Sequence, residues 1–186
     1  MRKVIASLFV SLDGVTEKPE SWHFPYFNDE MGAAIGQAMS SADAFLLGRR
    51  TYEEWSAYWP AQSPEENPMA AAVNGMPKYV ASTTLNEVTW QNSTLLEDDV
   101  AGEVKRLKRQ PGRDIVVSGS ATLVRSLLRE GVLDELRLMI HPVVVGSGGR
   151  LFEDADVQAP LELVGSETFS TGVLNLTYRP AKSGSA

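Results

Sequence analysis

Val4 to Val10 is an almost unbroken apolar run, and the pattern from Lys3 to Leu12 predicts a first strand ended by the Asp13-Gly14 turn. A polar and aromatic loop follows from Glu17 to Asn28. Asp29 to Ser40 then carries Met31, Ile35 and Met39 at four-residue intervals, which sets them on one helical face. Asp43 to Leu47 reads as a second strand and Thr51 to Tyr58 as a short helix. A proline-rich loop from Ala61 to Pro68 leads into one or two helical turns at Met69 to Val73. Lys78 to Ser82 is a third strand and Thr94 to Leu96 a short fourth. Asp98 to Arg109 is a helix, acidic at its start and basic at its end, as the helix dipole favours. Asp114 to Val117 is a buried strand, and Ala121 to Glu130 a helix closed by Gly131. Glu135 to Val145 reads as a long strand interrupted at Pro142. Leu161 to Thr168 and Val173 to Tyr178 form a hairpin around Ser170-Thr171-Gly172, and the small, polar tail from Ala181 to Ala186 is expected to fray.

Strands alternate with helices up to about residue 131 and then follow one another. That order predicts an α/β fold: one mostly parallel sheet flanked by helices, with an antiparallel C-terminal edge. With 186 residues and 43% apolar positions, the chain has material for one full core, and residues 1–180 are read as a single domain. A net charge of -7 argues against general binding to nucleic acid or anionic membranes. An anionic ligand would therefore need a local basic patch. The absence of cysteine excludes disulfides, thiolate catalysis and cysteine-ligated metals. No basic segment with a long apolar run opens the chain, so a cytoplasmic protein is expected.

Gly48-Arg49-Arg50-Thr51 joins a buried-looking strand directly to a basic, hydroxyl-bearing helix start. Unpaired backbone N–H groups and the helix dipole at such a junction suit a phosphate. Ser118-Gly119-Ser120-Ala121-Thr122 repeats the design later in the chain, with Gly119 permitting close approach to the backbone and Ser120 able to cap the next helix. Each alone is also an ordinary strand-to-helix turn. Together, at the carboxyl ends of parallel strands, they suggest a ligand with more than one phosphate, such as a dinucleotide. Ser82-Thr83-Thr84 ends the third strand at the same edge, where its hydroxyls suit an adenosine ribose or its 2′-phosphate, or simply stabilise a polar loop. Gly146-Ser147-Gly148-Gly149 is not a dinucleotide fingerprint: position 151 is leucine, no helix follows, and the segment reads as a loop rimming a pocket.

The loop from Asp13 to Glu30 is the expected substrate side. Trp22, Phe24, Tyr26 and Phe27 could stack on a flat heterocycle, and Asp29 or Glu30 could bind its ring nitrogens or relay a proton. Asp29 equally fits the N-cap of the following helix, and Asp13 is either a turn residue or a polar pocket contact. His23 and His141 share no metal-ligand spacing. A Ser118–His141–Asp134 hydrolase triad is conceivable but no spacing favours it.

The run Ser11-Leu12-Asp13-Gly14, then Leu46-Leu47-Gly48-Arg49-Arg50-Thr51-Tyr52-Glu53, then Ser82-Thr83-Thr84, resembles the dihydrofolate reductase-like superfamily. The later run, from Val117-Ser118-Gly119-Ser120 through Leu133-Asp134-Glu135-Leu136 to His141-Pro142-Val143 and Gly146-Ser147-Gly148, is similar to the C-terminal reductase domain of the riboflavin-biosynthesis bifunctional deaminase-reductase and its free-standing relatives. The resemblance spans residues 2–180. It implies a sheet of about eight strands, NADPH as hydride donor and commonly a homodimer. It places Gly48, Arg49, Arg50 and Thr51 on the cofactor phosphates and Ser82 and Thr83 near the 2′-phosphate. Gly119, Ser120, Ala121 and Thr122 would follow the pyrophosphate and nicotinamide. Asp13, Trp22, Phe24 and Tyr26 remain the substrate contacts expected from the loop itself. The superfamily's substrate-binding acid lies in the early helix region, where Asp29 and Glu30 are nearest, and Asp29 is the candidate acid. No deaminase segment is present in these residues, so a two-step role is not implied.

The expected activity is NADPH-dependent hydride transfer to a C=N or imine-like carbon of a pteridine- or pyrimidine-type small molecule. The alternatives are a nucleotide-binding module of the same fold without turnover, a hydrolase using Ser118 or Ser147, or a structural interaction protein.

Overall fold

A computed structural model describes residues 1–96, 99–153 and 158–181. Its first strand, β1 (Val4–Ser11), pairs in parallel with two strands from the second half of the chain, β5 (Asp114–Ser118) and β6 (Glu135–His141). Helix α1 (Asp29–Ser41) returns the chain to β2 (Ala42–Gly48), which pairs with β5 rather than β1. Helices α2 (Arg49–Tyr58) and α3 (Pro68–Gly75) lead to β3 (Lys78–Ala81) and β4 (Ser93–Leu96), both parallel additions beyond β2. After α4 (Val100–Arg109) and α5 (Ala121–Arg129), the antiparallel β7 (Leu161–Thr168) and β8 (Leu174–Pro180) complete the far edge. The eight strands lie in the order β4-β3-β2-β5-β1-β6-β8-β7. The expected fold class is the one observed.

Apolar runs in the central strands follow from cover on both faces. On one face Val4, Ala6, Leu8 and Val10 pack with Val117 and Leu136 under Val104, Leu107, Val124 and Leu127 of α4 and α5. On the other, Phe45, Leu47 and Val116 meet Tyr52, Trp55 and Trp90, and Met31 of α1 seats against Met139, Phe169 and Val173. The terminal hairpin is less covered: Leu163 and Val164 of the edge strand are exposed.

Several boundaries move for local reasons. The strand expected to run to Val145 stops at His141, because Pro142 has no N–H to give the ladder and the Val143 N–H turns back to the His141 carbonyl at 2.8 Å. Pro68 opens α3 instead of ending the preceding loop: a proline is tolerated in the first turn, and the Asn67 side chain accepts the Met69 N–H at 3.2 Å. The expected helix start at Asp98 and the tail from 182 lie outside the described residues. Asp99 caps α4, accepting the Gly102 N–H at 2.8 Å.

Candidate functional site

Strands β3, β2, β5, β1 and β6 are mutually parallel along the sheet and end at one edge. Because Leu46 pairs with Val117, the turns after β2 and β5 stand side by side. They interlock. A Cβ on Gly48 would lie 2.8 Å from Ser120 Cβ, and one on Gly119 would lie 2.8 Å from Thr51 Oγ1. Gly119 adopts φ +80°, a conformation open to glycine at little cost.

The helix starts at this double turn are not equivalent. Ser120 caps α5, accepting the Leu123 N–H at 3.4 Å, whereas α2 begins at Gly48 with no side-chain cap. Side chains also cap α1, α3 and α4. The first N–H groups of α2 are therefore left for solvent or an anion. Thr51 is only 7% exposed, tucked beside Gly119. Arg49 is tied by Nη1 to both Glu53 oxygens, at 3.0 and 3.1 Å, whereas Arg50 is exposed and makes no side-chain hydrogen bond or ion pair among the described residues. Ala121 is half-buried at the first position of α5, and Thr122 is exposed, accepting from Arg125 Nη2 at 3.3 Å. On the other flank Ala81 pairs with Gly48, which places Ser82 and Thr83 at the same edge. Ser82 Oγ accepts the N–H groups of Thr84 and Leu85 at 3.1 and 3.0 Å, and Thr83 is exposed. All ten residues expected to bind the cofactor thus lie along three neighbouring strand ends.

The expected substrate residues separate. Asp13 reaches across the rim, accepting from Ser11 Oγ at 2.7 Å and from the Val145 and Gly146 N–H groups at 3.0 and 2.9 Å. The Ser11 hydroxyl and these two amides lower its pKa to about 2. Glu17 similarly accepts the Gly149 N–H at 2.8 Å, so the glycine-rich loop is stapled to the end of β1. Trp22 is buried and Tyr26 half-buried in a cluster of rings, while Phe24 stays 63% exposed. Stacking on a ligand is thus open to Phe24 but not to the buried face of Trp22.

At the start of α1, Asn28 is the cap in place of Asp29, accepting the Met31 N–H at 2.9 Å. Asp29 is the first helical residue, exposed and without a side-chain hydrogen bond among the described residues. Glu30 is committed to the hairpin tip: it accepts from Ser170 Oγ and N–H, each at 2.7 Å, and from Asn28 Nδ2 at 2.6 Å, and Ser170 foremost holds its carboxyl below the usual range. Of the two acids considered for proton relay, only Asp29 is unengaged. Asn28→Ala should cost about 1 kcal/mol of unfolding free energy in urea titrations, with Asp29→Ala costing less.

Ser118, His141 and Asp134 do not assemble: Asp134 precedes β6 and accepts the Val4 N–H at 2.8 Å, whereas His141 ends the same strand. No group of three His, Asp or Glu side chains suits a metal among the described residues. No helix there is long and apolar enough to cross a membrane. The sequence reading missed Asn28, Ser170 and the buried setting of His141; the apolar strand around His141 was the available signal for the last.

Fold and rim together define an α/β domain with two interlocked strand-to-helix turns at the carboxyl edge of its sheet. The chain belongs to the RibD C-terminal domain family, whose model matches residues 2–175, and this is a family of reductases. It is 36% identical over 180 residues to YyaP of Bacillus subtilis (strain 168), an uncharacterised protein, covering 95% of this chain and 94% of that one. It shares its fold with a candidate riboflavin biosynthesis protein from Shewanella sp. PV-4, at TM-score 0.79 and 18% identity over 98% of this chain and all (100%) of that one. Dihydrofolate reductase from Enterococcus faecalis, complexed with NADP(H), superposes with TM-score 0.66 and 14% identity over 97% of each chain.

Proposed function

We propose that this protein is an NADPH-dependent reductase acting on a C=N or imine-like carbon of a pteridine- or pyrimidine-type substrate. The observation that carries the reading is the interlocked pair of turns, where uncapped α2 and the start of α5 converge beside Arg50. The residues fit a dinucleotide. The N–H groups of Arg49, Arg50 and Thr51 would hold one phosphate, and those of Ala121 and Thr122 another. Close approach to the backbone depends on Gly48 and Gly119. Ser82 and Thr83 would flank a 2′-phosphate, with Arg50, which makes no ion pair among the described residues, as its cation. When bound, the reduced nicotinamide supplies the hydride. The chain's part is to orient the two rings, which in favourable cases is worth roughly 7–11 kcal/mol. Phe24 offers a stacking face, and Asp29 or a water supplies the proton. Asp13 keeps the rim loops in place around the heterocycle.

Steady NADPH oxidation with dihydrofolate or a ribosylaminopyrimidine would establish turnover. Tight binding without oxidation would favour the alternative, a nucleotide-binding module of the same fold. The guanidinium roles are separable. Arg50→Ala should weaken NADPH at least about tenfold and NADH far less, while Arg49→Ala, whose partner is Glu53, should have the smaller effect. Equal losses for both nucleotides, read by quenching of protein fluorescence, would remove Arg50 from the 2′-phosphate. We read the protein as a cytoplasmic homodimer, with the exposed β7 edge as its contact, and sedimentation would report the dimer.

A further inference from the structure

The chain has two histidines, His23 and His141, and they meet. Their ring centroids are 6.1 Å apart with planes 89° to one another. His23 stacks between Phe9 at 4.7 Å and Phe24 at 4.2 Å. His141 stands edge-to-face with Phe9, Trp22 and Tyr26 at 5.6, 5.2 and 5.8 Å. His141 is fully buried and His23 is 7% exposed. His141 Nδ1 lies 2.9 Å from the Met139 carbonyl, but His141 Nε2 and His23 Nδ1 are buried with no hydrogen-bond partner among the described residues. Orphaned buried nitrogens cost free energy and are rarely kept without a role.

Beyond this ring packing, with Trp22 buried and Tyr26 seated against Met31, Met139 and Phe169, the segment has few hydrogen bonds to hold it. Across residues 18–27 the one hydrogen bond to a distant part of the described chain runs from Tyr26 Oη to the Pro142 carbonyl, at 3.4 Å. The others are local, such as Ser21 N–H to the Lys18 carbonyl and His23 N–H to the Pro19 carbonyl. Lys18 itself sits at φ 47°, a left-handed conformation unfavourable for a side-chain-bearing residue.

We propose that His23 and His141 form an acid-released clasp, which while neutral fastens residues 18–27 to the ends of β1 and β6 and on protonation lets that segment lift. Burial disfavours the charged form of each imidazole, and charge on His141 further opposes charge on His23. Opposing groups are few. Glu20, on the segment itself, favours a charged His23, and the carbonyls of Met139 and Val10 favour a charged His141, but burial outweighs them. The facing groups of β1 and of the 24–27 turn are the uncharged rings of Phe9, Phe24, Phe27 and Tyr26. With both pKa values depressed, the fastening is complete above the ordinary histidine value of about 6.5 and weakens as pH falls below it. The inference does not depend on nucleotide binding.

The test uses the intact chain without ligand. Histidine Cε1 resonances should titrate with both midpoints below about 6.5. After correction for intrinsic rates, amide exchange in residues 18–27 should rise severalfold relative to α5 between about pH 7.5 and pH 5. A His23→Phe/His141→Phe variant should abolish that rise. Histidines titrating at or above the ordinary value, a segment whose protection ignores pH, or an undiminished rise in the double variant would each overturn the clasp.

Discussion

Gly48→Ala should weaken NADPH binding at least about tenfold and lower the unfolding free energy by about 1–3 kcal/mol. Gly48 has φ -79° and ψ 163°, which any residue can adopt, so backbone strain plays no part. Space does. The new methyl would sit 2.8 Å from Ser120 Cβ and closer still to its hydroxyl. Ser120 is not free to swing, because its oxygen caps α5. The two turns must therefore part, and the N–H groups proposed to share a dinucleotide part with them. Adding Ser120→Gly removes both obstructing atoms and keeps a residue acceptable at a helix cap, so the double variant should regain most of the lost stability. If Gly48→Ala alone titrates with NADPH like the parent, the interlock is not part of the binding site.

The second large effect lies at the opposite end of the sheet. Glu135, with a side chain only 4% exposed, meets Lys3 Nζ at 2.9 Å, Arg137 Nη2 at 2.9 Å and Arg179 Nη2 at 3.1 Å. Burial alone would raise its pKa, but the three cationic donors prevail and bring it from 4.5 down to about 2. A folded-state value below the unfolded one means stability that is full above about pH 4.5 and lost as pH falls towards 2, roughly 3 kcal/mol in all. Glu135→Ala leaves three clustered cations without their counter-charge and should cost about 3–5 kcal/mol near neutrality. In urea titrations the gap between parent and Glu135→Gln should be wide at pH 7 and close near pH 2. A gap of equal width at both would assign the effect to packing instead of charge.

Strand-helix alternation was readable in the chain because apolar runs such as Val4 to Val10 can only be buried on both faces, and both helix-start glycines could be found for the same reason. What those turns touch could not. Gly48 and Ser120 become neighbours only because β5 inserts beside β2, a tertiary fact with no local signal. Asp13 could be read as a turn residue or a pocket contact, and the N–H groups its carboxylate accepts from, those of Val145 and Gly146, lie more than a hundred residues on. Asn28 and Asp29 are both good cap residues in adjacent positions, and only the helix register chooses Asn28. The aromatic loop was visible as aromatic, but the inward turn of Trp22 and the outward turn of Phe24 depend on the imidazoles waiting below.

The placement of β5 between β1 and β2 also fixes when the rim can exist during synthesis. A nascent chain that has not yet released Asp114–Ser118 from the ribosome has two central strands with no common neighbour and only half of the double turn. Such pairings of distant segments form late. A ligand seated there can stabilise the finished protein but cannot template its first half, and arrested chains ending before Asp114 should elute from an immobilised-nucleotide resin with the void.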